Sequence, residues 1–336
     1  MLNPDFNFSP KIFTSEIELK ASRDGFGEGL VLAGEKNKNI VVLCADVTES
    51  IRMHHFKNRF PERFIELGIA EQNMAGVAAG LAATGKIPVF GSYAVFSPGR
   101  NWEQIRTSIC YNKQKAIIIG SHTGLNVGPD GASHQALEDI ALMRALPNMN
   151  VTAPADALEA RKAILAAIDY PGSVYLRLAR EKSPVFTSEE SSFAIEKSSV
   201  LWLPKEDEKI KYSGIAIFVS GFLVYKALEA AKELEKEGIS IAVINNSAIK
   251  PLDKDLILEW AKKSKVIITL EEHQIAGGMG STIAEFLSEN YPILIHFMGI
   301  NDTFGESGEA EELIEKYGLG KEAIKEKVKQ ILISKS

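Results

Sequence analysis

The residue best placed for chemistry is Glu71, in the middle of the stretch RFIELGIAEQNMAGVAAGLAATG, residues 63–85. The alternating apolar residues before it predict a short buried strand, and the alanine- and glycine-rich segment after it predicts a helix. Glu71 then lies in the first helical turn at the carboxyl end of a strand, where open α/β sheets bind their ligands. Gly76 and Gly80 would let another group approach the helix backbone closely. The alternative is an acid that only complements the helix dipole.

A glycine-rich loop carries a second group of chemically active side chains. The loop SHTGLNVGPDGASHQ, residues 121–135, follows a predicted strand and holds His122, Asp130 and His134. Because its turn residues bend it back on itself, we expect the three side chains to face one cleft at the carboxyl edge of the sheet. A single histidine more commonly fills a local structural role. The spacing lacks the further ligand that a zinc site requires.

Aromatic and cationic residues follow two other predicted strands. Tyr93 and Phe96 come at the end of a strand over residues 87–93, where a planar ring could stack on them, although aromatic residues near strand ends commonly belong to the core. Arg180 follows a strand over residues 174–178. Its guanidinium could bind an anion through two nitrogens, or it could be an ordinary surface arginine.

The elements that position these residues alternate between strands and helices. This alternation predicts an α/β protein whose mostly parallel sheet is covered on both faces. Among the predicted helices are residues 101–111 and 134–146. Polar runs interrupt the alternation before the second half of the chain, which indicates a linker between two domains. The predicted segments are a mobile or partner-held N-terminal arm (1–14), a first domain (15–180), a linker (181–212) and a second, smaller domain (213–336).

The composition is typical of a globular protein that stays in solution. A chain of 336 residues is long enough for about two domains with their own cores. A net charge of −6, spread along the chain, argues against a nucleic-acid partner. Cys44 and Cys110 lie among apolar residues without metal-type spacing, which predicts buried thiols in a reducing compartment. Because no apolar run is long enough for a membrane span and no signal peptide is recognisable, we expect a cytoplasmic protein without a membrane partner.

Taken together, the motifs of this chain resemble those of the transketolase family, in the C-terminal two thirds of its members. The resemblance extends in order over nearly the whole chain. It implies a pyrimidine-binding domain followed by a smaller C-terminal domain. The matching motifs are ELGIAEQNM, HTGLNVGPDGASHQ, LPN followed by APAD, IKPLD, and EEHQIAGGMGS.

The resemblance also implies how the chain meets thiamine diphosphate, the cofactor of that family. Glu71 matches the glutamate that hydrogen-bonds ring nitrogen N1′ of the aminopyrimidine. Tyr93 and Phe96 match aromatic residues that stack on this ring, whereas Gly99 stands where the family commonly has a third one. Asp46 matches an acid beside the cofactor.

On the substrate side, the resemblance assigns roles to the loop residues. His122 and His134 match pocket histidines, with His134 acting on the protons of sugar oxygens, and Asp130 matches the acid that reads a donor hydroxyl. The positions that grip the sugar phosphate correspond to Arg23, Ser50 and Arg180. None of these residues is implied to bind a metal.

The family's Gly-Asp-Gly motif, which with a following Asn holds a divalent metal (Mg or Ca), does not occur in this sequence. The resemblance therefore implies the B subunit of a split transketolase that requires an A subunit, in an α2β2 assembly. It would transfer a two-carbon glycolaldehyde unit between phosphorylated sugars of the pentose phosphate pathway. The alternatives are the β subunit of a 2-oxoacid dehydrogenase E1 component, or a non-catalytic regulatory subunit.

Overall fold

The computed structural model describes residues 1–205 and 210–333. Within these ranges the strands are β1 (Leu19–Ala21), β2 (Ile40–Cys44), β3 (Phe64–Glu66), β4 (Ile87–Tyr93), β5 (Ile117–Ser121), β6 (Met149–Thr152), β7 (Ser173–Arg177), β8 (Lys182–Pro184), β9 (Ser199–Trp202), β10 (Lys211–Val219), β11 (Ile239–Asn245), β12 (Ala248–Lys250), β13 (Val266–Gln274) and β14 (Leu294–Ile300).

The α-helices in the same residues are α1 (Ser22–Lys36), α2 (His54–Arg59), α3 (Glu71–Ala83), α4 (Trp102–Gln104), α5 (Asp139–Arg144), α6 (Ala157–Asp169), α7 (Val224–Lys236), α8 (Lys254–Lys263), α9 (Met279–Asn290), α10 (Ala310–Lys316) and α11 (Lys321–Ile333). Short 3₁₀ segments cover Pro61–Arg63, Leu125–Asp130 and Gly221–Leu223, and a π-helix covers Ile105–Tyr111.

The first sheet has the strand order β12-β6-β7-β5-β4-β2-β3. All of its pairs are parallel except β12 with β6. Strands β2, β5 and β7 are buried along their whole length, as continuous runs such as IVVLC in β2 predict for a sheet covered on both faces. Because the central strands run in one direction, the segments that follow β2, β4, β5 and β7 emerge at one edge.

Helices α1 and α6 pack closely together, and a glycine makes this contact possible. A Cβ atom on Gly25 of α1 would lie 1.7 Å from the carbonyl oxygen of Ala157, the first residue of α6. No larger residue fits there without moving a helix. The contact therefore fixes the first turn of α1, which carries Arg23, beside the carboxyl edge of the sheet.

The second sheet has the strand order β14-β13-β10-β11-β9 and is parallel except for β9. Strands β1 and β8 form a separate antiparallel pair. The two-domain α/β architecture predicted from the alternation of elements is thereby confirmed. The domains are not cleanly separated, since β12 follows β11 in the chain but pairs with β6 of the first sheet.

The residues predicted as a linker, 181–212, include regular structure. They contain β8 and β9, and β9 forms an edge of the second sheet. Residues 206–209 of this predicted segment lie outside the described residues, as do residues 334–336 at the end of the predicted second domain. The domain boundaries stay predictions.

The N-terminal arm packs against its own second domain. The amino group of Met1 lies 2.6 Å from Oε2 of Glu235, and the backbone N–H of Asn3 donates to the carbonyl of Leu201 at 2.9 Å. The ring of Phe13 joins the apolar cluster of the second domain. The apolar residues of the arm are half-buried against the second domain of the same chain, so the arm is packed and not free, whereas its contact with a partner stays a prediction.

Two predicted helices differ from the structure. The helix predicted for residues 134–146 begins as α5 at Asp139, because the N–H of Gly124 donates to the carbonyl of Ala136 at 2.9 Å and keeps that part of the loop extended. The helix predicted for residues 101–111 is an α-helix only over α4 and continues as a π-helix.

The strand before Glu71 is shorter and more exposed than predicted. Strand β3 is an edge strand that ends at Glu66, and Ile69 is 72% exposed, so the prediction of a buried strand was wrong. The carboxylate of Glu66 accepts hydrogen bonds from the N–H groups of Leu67 and Gly68, at 3.2 and 3.3 Å, which turns the chain out of the sheet. Helix α3 begins at Glu71, as predicted.

Candidate active site

The loops that follow β2, β4, β5 and β7 converge at the carboxyl edge of the first sheet. Most of the side chains that the sequence singled out meet there in one series of contacts. The series runs through Ser50, Arg23, His122, Tyr93, Phe96, His134, Arg100 and Glu71.

His122 is the buried centre of this series. Its backbone adopts φ of 55°, in the left-handed region that few non-glycine residues occupy. Its Nε2 lies 3.0 Å from Nη1 of Arg23, and its Nδ1 lies 2.9 Å from Oγ of Ser121. Because a guanidinium can only donate, Nε2 is the acceptor and Nδ1 carries the proton that is donated to Ser121.

The electrostatic environment keeps this imidazole neutral. Burial, followed by the positive charges of Arg23, Arg180 and Arg52, lowers the pKa of His122 to about 2. Arg52 is paired with Asp24 at 2.5 Å and Arg180 lies 3.6 Å from Glu181, whereas the contacts of Arg23 with His122 and Ser50 are to neutral groups. The arrangement therefore suits an anionic ligand held beside a histidine that can exchange hydrogen bonds.

The residues predicted to grip a phosphate lie close together. Nη1 of Arg23 donates to the carbonyl oxygen of Ser50 at 2.8 Å, so Ser50 positions this guanidinium through its backbone. Nη1 of Arg180 donates to the carbonyl of Val127 in the glycine-rich loop. Burial lowers the pKa of Arg23, and the positive charges of Arg52 and Arg180 lower it further.

The aromatic residues connect the histidines to each other. The ring of Tyr93 stacks on His122 with centroids 3.8 Å apart and lies parallel to Phe96 at 6.1 Å. The imidazole of His134 meets the edges of Phe96 at 5.3 Å and Tyr93 at 6.0 Å, and its Nδ1 lies 2.9 Å from Oγ of Ser133. One face of Tyr93 is thus covered by His122, and the guanidinium of Arg100 lies over the ring of Phe96 at 4.1 Å.

Glu71 begins helix α3 and is only 3% exposed. Nη1 of Arg100 lies 3.0 and 3.2 Å from its two carboxylate oxygens, and the guanidinium also lies 4.1 Å from the ring centre of Phe96. The side chain of Asn101 donates to the backbone carbonyl of Glu71 at 3.2 Å. The sequence analysis missed both partners, although two polar residues directly after the aromatic run of β4 were a usable signal.

An open pocket of about 550 Å³ lies beside this carboxylate. A buried acid at the wall of an open pocket, with an aromatic ring close by, suits a planar heterocycle that shares a proton with the acid. The lining residues are Ile69, Ala70, Glu71, Gln72, Asn73 and Arg100.

Two predicted site residues lie at the rim of the site. Asp46 is exposed, with φ of 58°, and its backbone N–H donates to the carboxylate of Glu66 at 2.8 Å. Asp130 is exposed at the end of the 3₁₀ segment in the glycine-rich loop. Among the described residues, neither of these two carboxylates joins the contacts around His122.

Two further residues were missed although each lies within a quoted motif, because the motifs do not show that the two side chains meet. Asn126, inside the glycine-rich loop, and Glu272, on β13 of the second domain, are both buried and hydrogen-bonded to each other. They are 146 positions apart, so only the folded chain brings them together.

Over residues 1–205 and 210–333, no group of three or more His, Cys, Asp or Glu side chains is arranged to hold a metal ion. No helix in those residues has the length and apolar character that crossing a membrane requires. The thiols predicted to be buried, Cys44 and Cys110, are buried and free, and burial raises the pKa of each to about 11. Such thiols are unreactive at neutral pH.

Comparison with protein families gives two matches in the expected order. Residues 19–185 match the family described as transketolase, pyrimidine binding domain. Residues 210–324 match the family described as transketolase, C-terminal domain.

Individual relatives agree with these matches. A protein of Methanocaldococcus jannaschii named as a transketolase C-terminal section is 42% identical over 92% of this chain and 95% of its own length. A Clostridium protein named 6-deoxy-6-sulfo-D-fructose transketolase subunit is 36% identical over 91% of this chain and 93% of its own length. A solved structure described as a split gene transketolase, an inactive β4 tetramer, is 44% identical with a TM-score of 0.84, covering 93% of this chain and 98% of that one.

The lowered pKa of His122 predicts that its imidazole stays neutral across the physiological range. In the folded chain, the ring carbon resonance of His122, identified by its loss in His122→Gln, should not shift between about pH 8 and pH 5. Unfolded histidine binds a proton near pH 6.5, so the chain should lose stability as pH falls below that value. The contribution of His122 is at most ~1.4 kcal/mol per pH unit and should be missing in His122→Gln. A titration midpoint between pH 6 and 7 would contradict this assignment.

Proposed function

This chain belongs to the transketolase family, and we propose that it is the B subunit of a split transketolase. In this proposal it transfers, together with an A subunit, a two-carbon glycolaldehyde unit from a ketose phosphate to an aldose phosphate. The observation that carries the proposal is that one sheet edge holds both a buried acid in an open pocket and a neutral histidine surrounded by arginines. The acid suits the cofactor of the family, and the arginines suit a phosphorylated sugar.

The coverage of the relatives supports a split enzyme. This chain matches nearly the full length of proteins that are named as a C-terminal section or a subunit. Its sequence holds no Gly-Asp-Gly motif. We therefore assign the diphosphate-binding domain, with its divalent metal (Mg or Ca), to an A subunit in a cytoplasmic α2β2 assembly. The inactive β4 tetramer formed by the related split enzyme supports the idea that B subunits associate with each other without their partner.

The residues around Glu71 fit one half of thiamine diphosphate. The buried carboxyl, the pocket beside it and the ring of Phe96 suit an aminopyrimidine, and we assign the diphosphate to the A subunit. When bound, the cofactor supplies a nucleophilic carbon at C2 of its thiazolium ring. Glu71 would hold a shared proton at ring nitrogen N1′. Arg100, whose side chain is 48% exposed, can turn into solvent and release the carboxylate of Glu71 for this role.

On the substrate side, we assign His134 to proton exchange with the sugar oxygens, because it is half-buried against the two aromatic rings. His122, with Nε2 as a neutral acceptor, would orient a hydroxyl rather than carry charge. Asp130, exposed on the same loop, is assigned to a donor hydroxyl, and Asp46 to the side of the cofactor.

The arginines provide the proposed grip on the far end of the sugar. Arg23 is held by the carbonyl of Ser50, and Arg180 is held by the loop carbonyl of Val127. A guanidinium matches two oxygens of one phosphate at once, which a lysine cannot do. The relative named for a sulfonated fructose supports the same logic, since a sulfonate places an anion at the end of a sugar.

The first test is reconstitution. The purified chain alone should show no measurable ketol transfer and only weak binding of thiamine diphosphate, measured by calorimetry, because the diphosphate and metal sites would lie on the A subunit. Adding a chain that carries the missing domain should restore both properties. Turnover by this chain alone would contradict the split enzyme, and a mass corresponding to one copy of each chain would contradict the α2β2 assembly.

The second test concerns Glu71. Glu71→Gln and Glu71→Ala should slow exchange of the cofactor's C2 proton in the reconstituted complex by about 10²–10⁴-fold, the range expected for lost acid–base assistance. Both variants should fold, because the exposed guanidinium of Arg100 stays solvated without its partner. The control is Glu62→Gln, an exposed acid in a short 3₁₀ segment. If the rate of C2-proton exchange is unchanged in the Glu71 variants, Glu71 acts only as a helix-capping acid.

The third test separates a sugar-phosphate enzyme from a 2-oxoacid dehydrogenase subunit. Arg180→Ala should raise the KM for phosphorylated donors by about 10–150-fold, since a charge-assisted contact is worth ~1.5–3 kcal/mol. It should barely change activity on unphosphorylated hydroxypyruvate.

Lys182→Ala is the matched control. Lys182 and Arg180 both line a second pocket, of about 350 Å³, but Lys182 is exposed whereas Arg180 is half-buried. Lys182→Ala should leave the KM for phosphorylated donors unchanged. Equal losses on both donors in Arg180→Ala would indicate a structural role for this arginine. Decarboxylation of pyruvate with transfer to a lipoyl carrier would assign the complex to the rival class.

A further inference from the structure

Asn126 lies fully buried in the loop between His122 and His134, and both ends of its side-chain amide are engaged. Its Oδ1 accepts from the backbone N–H groups of Arg180, at 2.7 Å, and Glu181, at 3.3 Å. Its Nδ2 donates to the carbonyl of Thr123 at 2.6 Å. This one amide therefore joins the glycine-rich loop to the segment that carries Arg180.

The second domain supplies the remaining partner of this amide. The carboxylate of Glu272, on β13, accepts from Nδ2 of Asn126 at 3.1 and 3.0 Å and also from the backbone N–H of Asn126. The backbone carbonyl of Glu272 accepts in turn from Arg177 at 2.8 Å. Arg177 is buried and paired with Asp139 at 2.9 Å, so β13 is fixed to the first sheet at this point.

Gly124 indicates how closely the loop approaches this carboxylate. A Cβ atom on Gly124 would lie 2.4 Å from Cδ of Glu272, and the backbone of Gly124 has φ of +77°. A larger residue is therefore excluded both by the contact and by the backbone conformation. The loop that carries His122 is thus shaped directly against a side chain of the second domain.

We propose that Glu272 of the second domain, acting through Asn126, is a positioning residue for the anion grip formed by Arg180. Burial raises the pKa of Glu272 to about 7, but both of its oxygens face N–H groups of Asn126, so Glu272 acts as the acceptor in this contact. It therefore obliges the amide of Asn126 to point Nδ2 toward it and Oδ1 toward the N–H groups at residues 180 and 181. The opposite amide orientation would place Oδ1 against the carboxylate and leave those N–H groups unpaired. This inference rests on the proposed function, because it explains how the proposed phosphate contact is held in place.

The test uses the reconstituted complex with xylulose 5-phosphate as the phosphorylated probe and hydroxypyruvate as the unphosphorylated one. Glu272→Gln keeps the shape of the side chain but replaces one acceptor with a donor that faces Nδ2 of Asn126. Asn126→Asp places two carboxylates against each other. Each variant should raise the KM for xylulose 5-phosphate about tenfold, equivalent to ~1.4 kcal/mol. With hydroxypyruvate as the donor, both kcat and KM should change less than about twofold.

The double variant Asn126→Asp with Glu272→Gln provides a rescue. The amide nitrogen of the new glutamine donates to the new carboxylate, whose other oxygen still accepts from the backbone of Arg180. The carbonyl of Thr123 still lacks its donor in the double variant, so the rescue is partial. The KM for xylulose 5-phosphate should fall below that of Asn126→Asp alone, a non-additive result that a direct interaction produces.

Glu271→Gln is the matched control on the same strand. Glu271 is also buried, but its carboxylate accepts from the N–H groups of Met279 and Gly280 at the start of α9, away from the loop. This variant should leave the ratio of the two KM values unchanged.

The possible outcomes separate this inference from the proposed function. If Arg180→Ala raises the KM for xylulose 5-phosphate but the two single variants do not, the positioning role is overturned and the proposed function stands. If the wild-type complex transfers no two-carbon unit from any ketose phosphate, the proposed function fails first. If the double variant folds but its KM for xylulose 5-phosphate is as high as in Asn126→Asp, the positioning role is overturned. If a single variant does not fold, the KM of the double variant against that of the wild type decides in the same way.

Discussion

The parallel register of the first sheet is the constraint on which the site depends. Strands β2, β4, β5 and β7 run in one direction, so the residues after each of them appear at one edge although they are far apart in the chain. Each segment contributes a different chemical group, from aromatic rings to imidazole and guanidinium. The close contact of α1 with α6 adds Arg23 at the same edge. The position of the site thus follows from the parallel pairing of the strands, whereas its chemistry comes from the side chains that these segments carry.

Charge then divides this edge into two regions. Around His122, burial and then the neighbouring guanidinium groups lower the pKa of the imidazole, which stays neutral beside them. Around Glu71, a single guanidinium lies over a buried carboxylate and an aromatic ring. The stacked rings of Tyr93 and Phe96 lie between the two regions and connect them. The proposed positions of the cofactor and of the sugar phosphate therefore lie side by side and depend on different charges.

The second domain is part of the site rather than an attachment to it. It completes an edge of the first sheet through β12 and contacts the glycine-rich loop through Glu272. A loop rich in glycine has little stiffness of its own, so its shape has to come from neighbouring residues. In this protein those neighbours belong largely to the other domain, which couples the integrity of the domain interface to the geometry of the site.

The sequence by itself determined the fold class, the residue types at the site and the start of α3 at Glu71. These features depend on local patterns: runs of β-branched residues, turn residues in one loop, and a change of period at the end of a strand. The tertiary structure decided the rest, including the partners Arg100 and Glu272, the early end of β3 at Glu66, and the extended conformation of residue 136. Arg100, Glu272 and residue 136 are engaged by hydrogen bonds between segments that are far apart in the chain, and the carboxylate of Glu66 binds the distant N–H of Asp46 as well as the N–H groups that follow it. A sequence pattern reports how a segment behaves along its own axis, whereas the ionisation and orientation of a buried group depend on neighbours that only folding brings near.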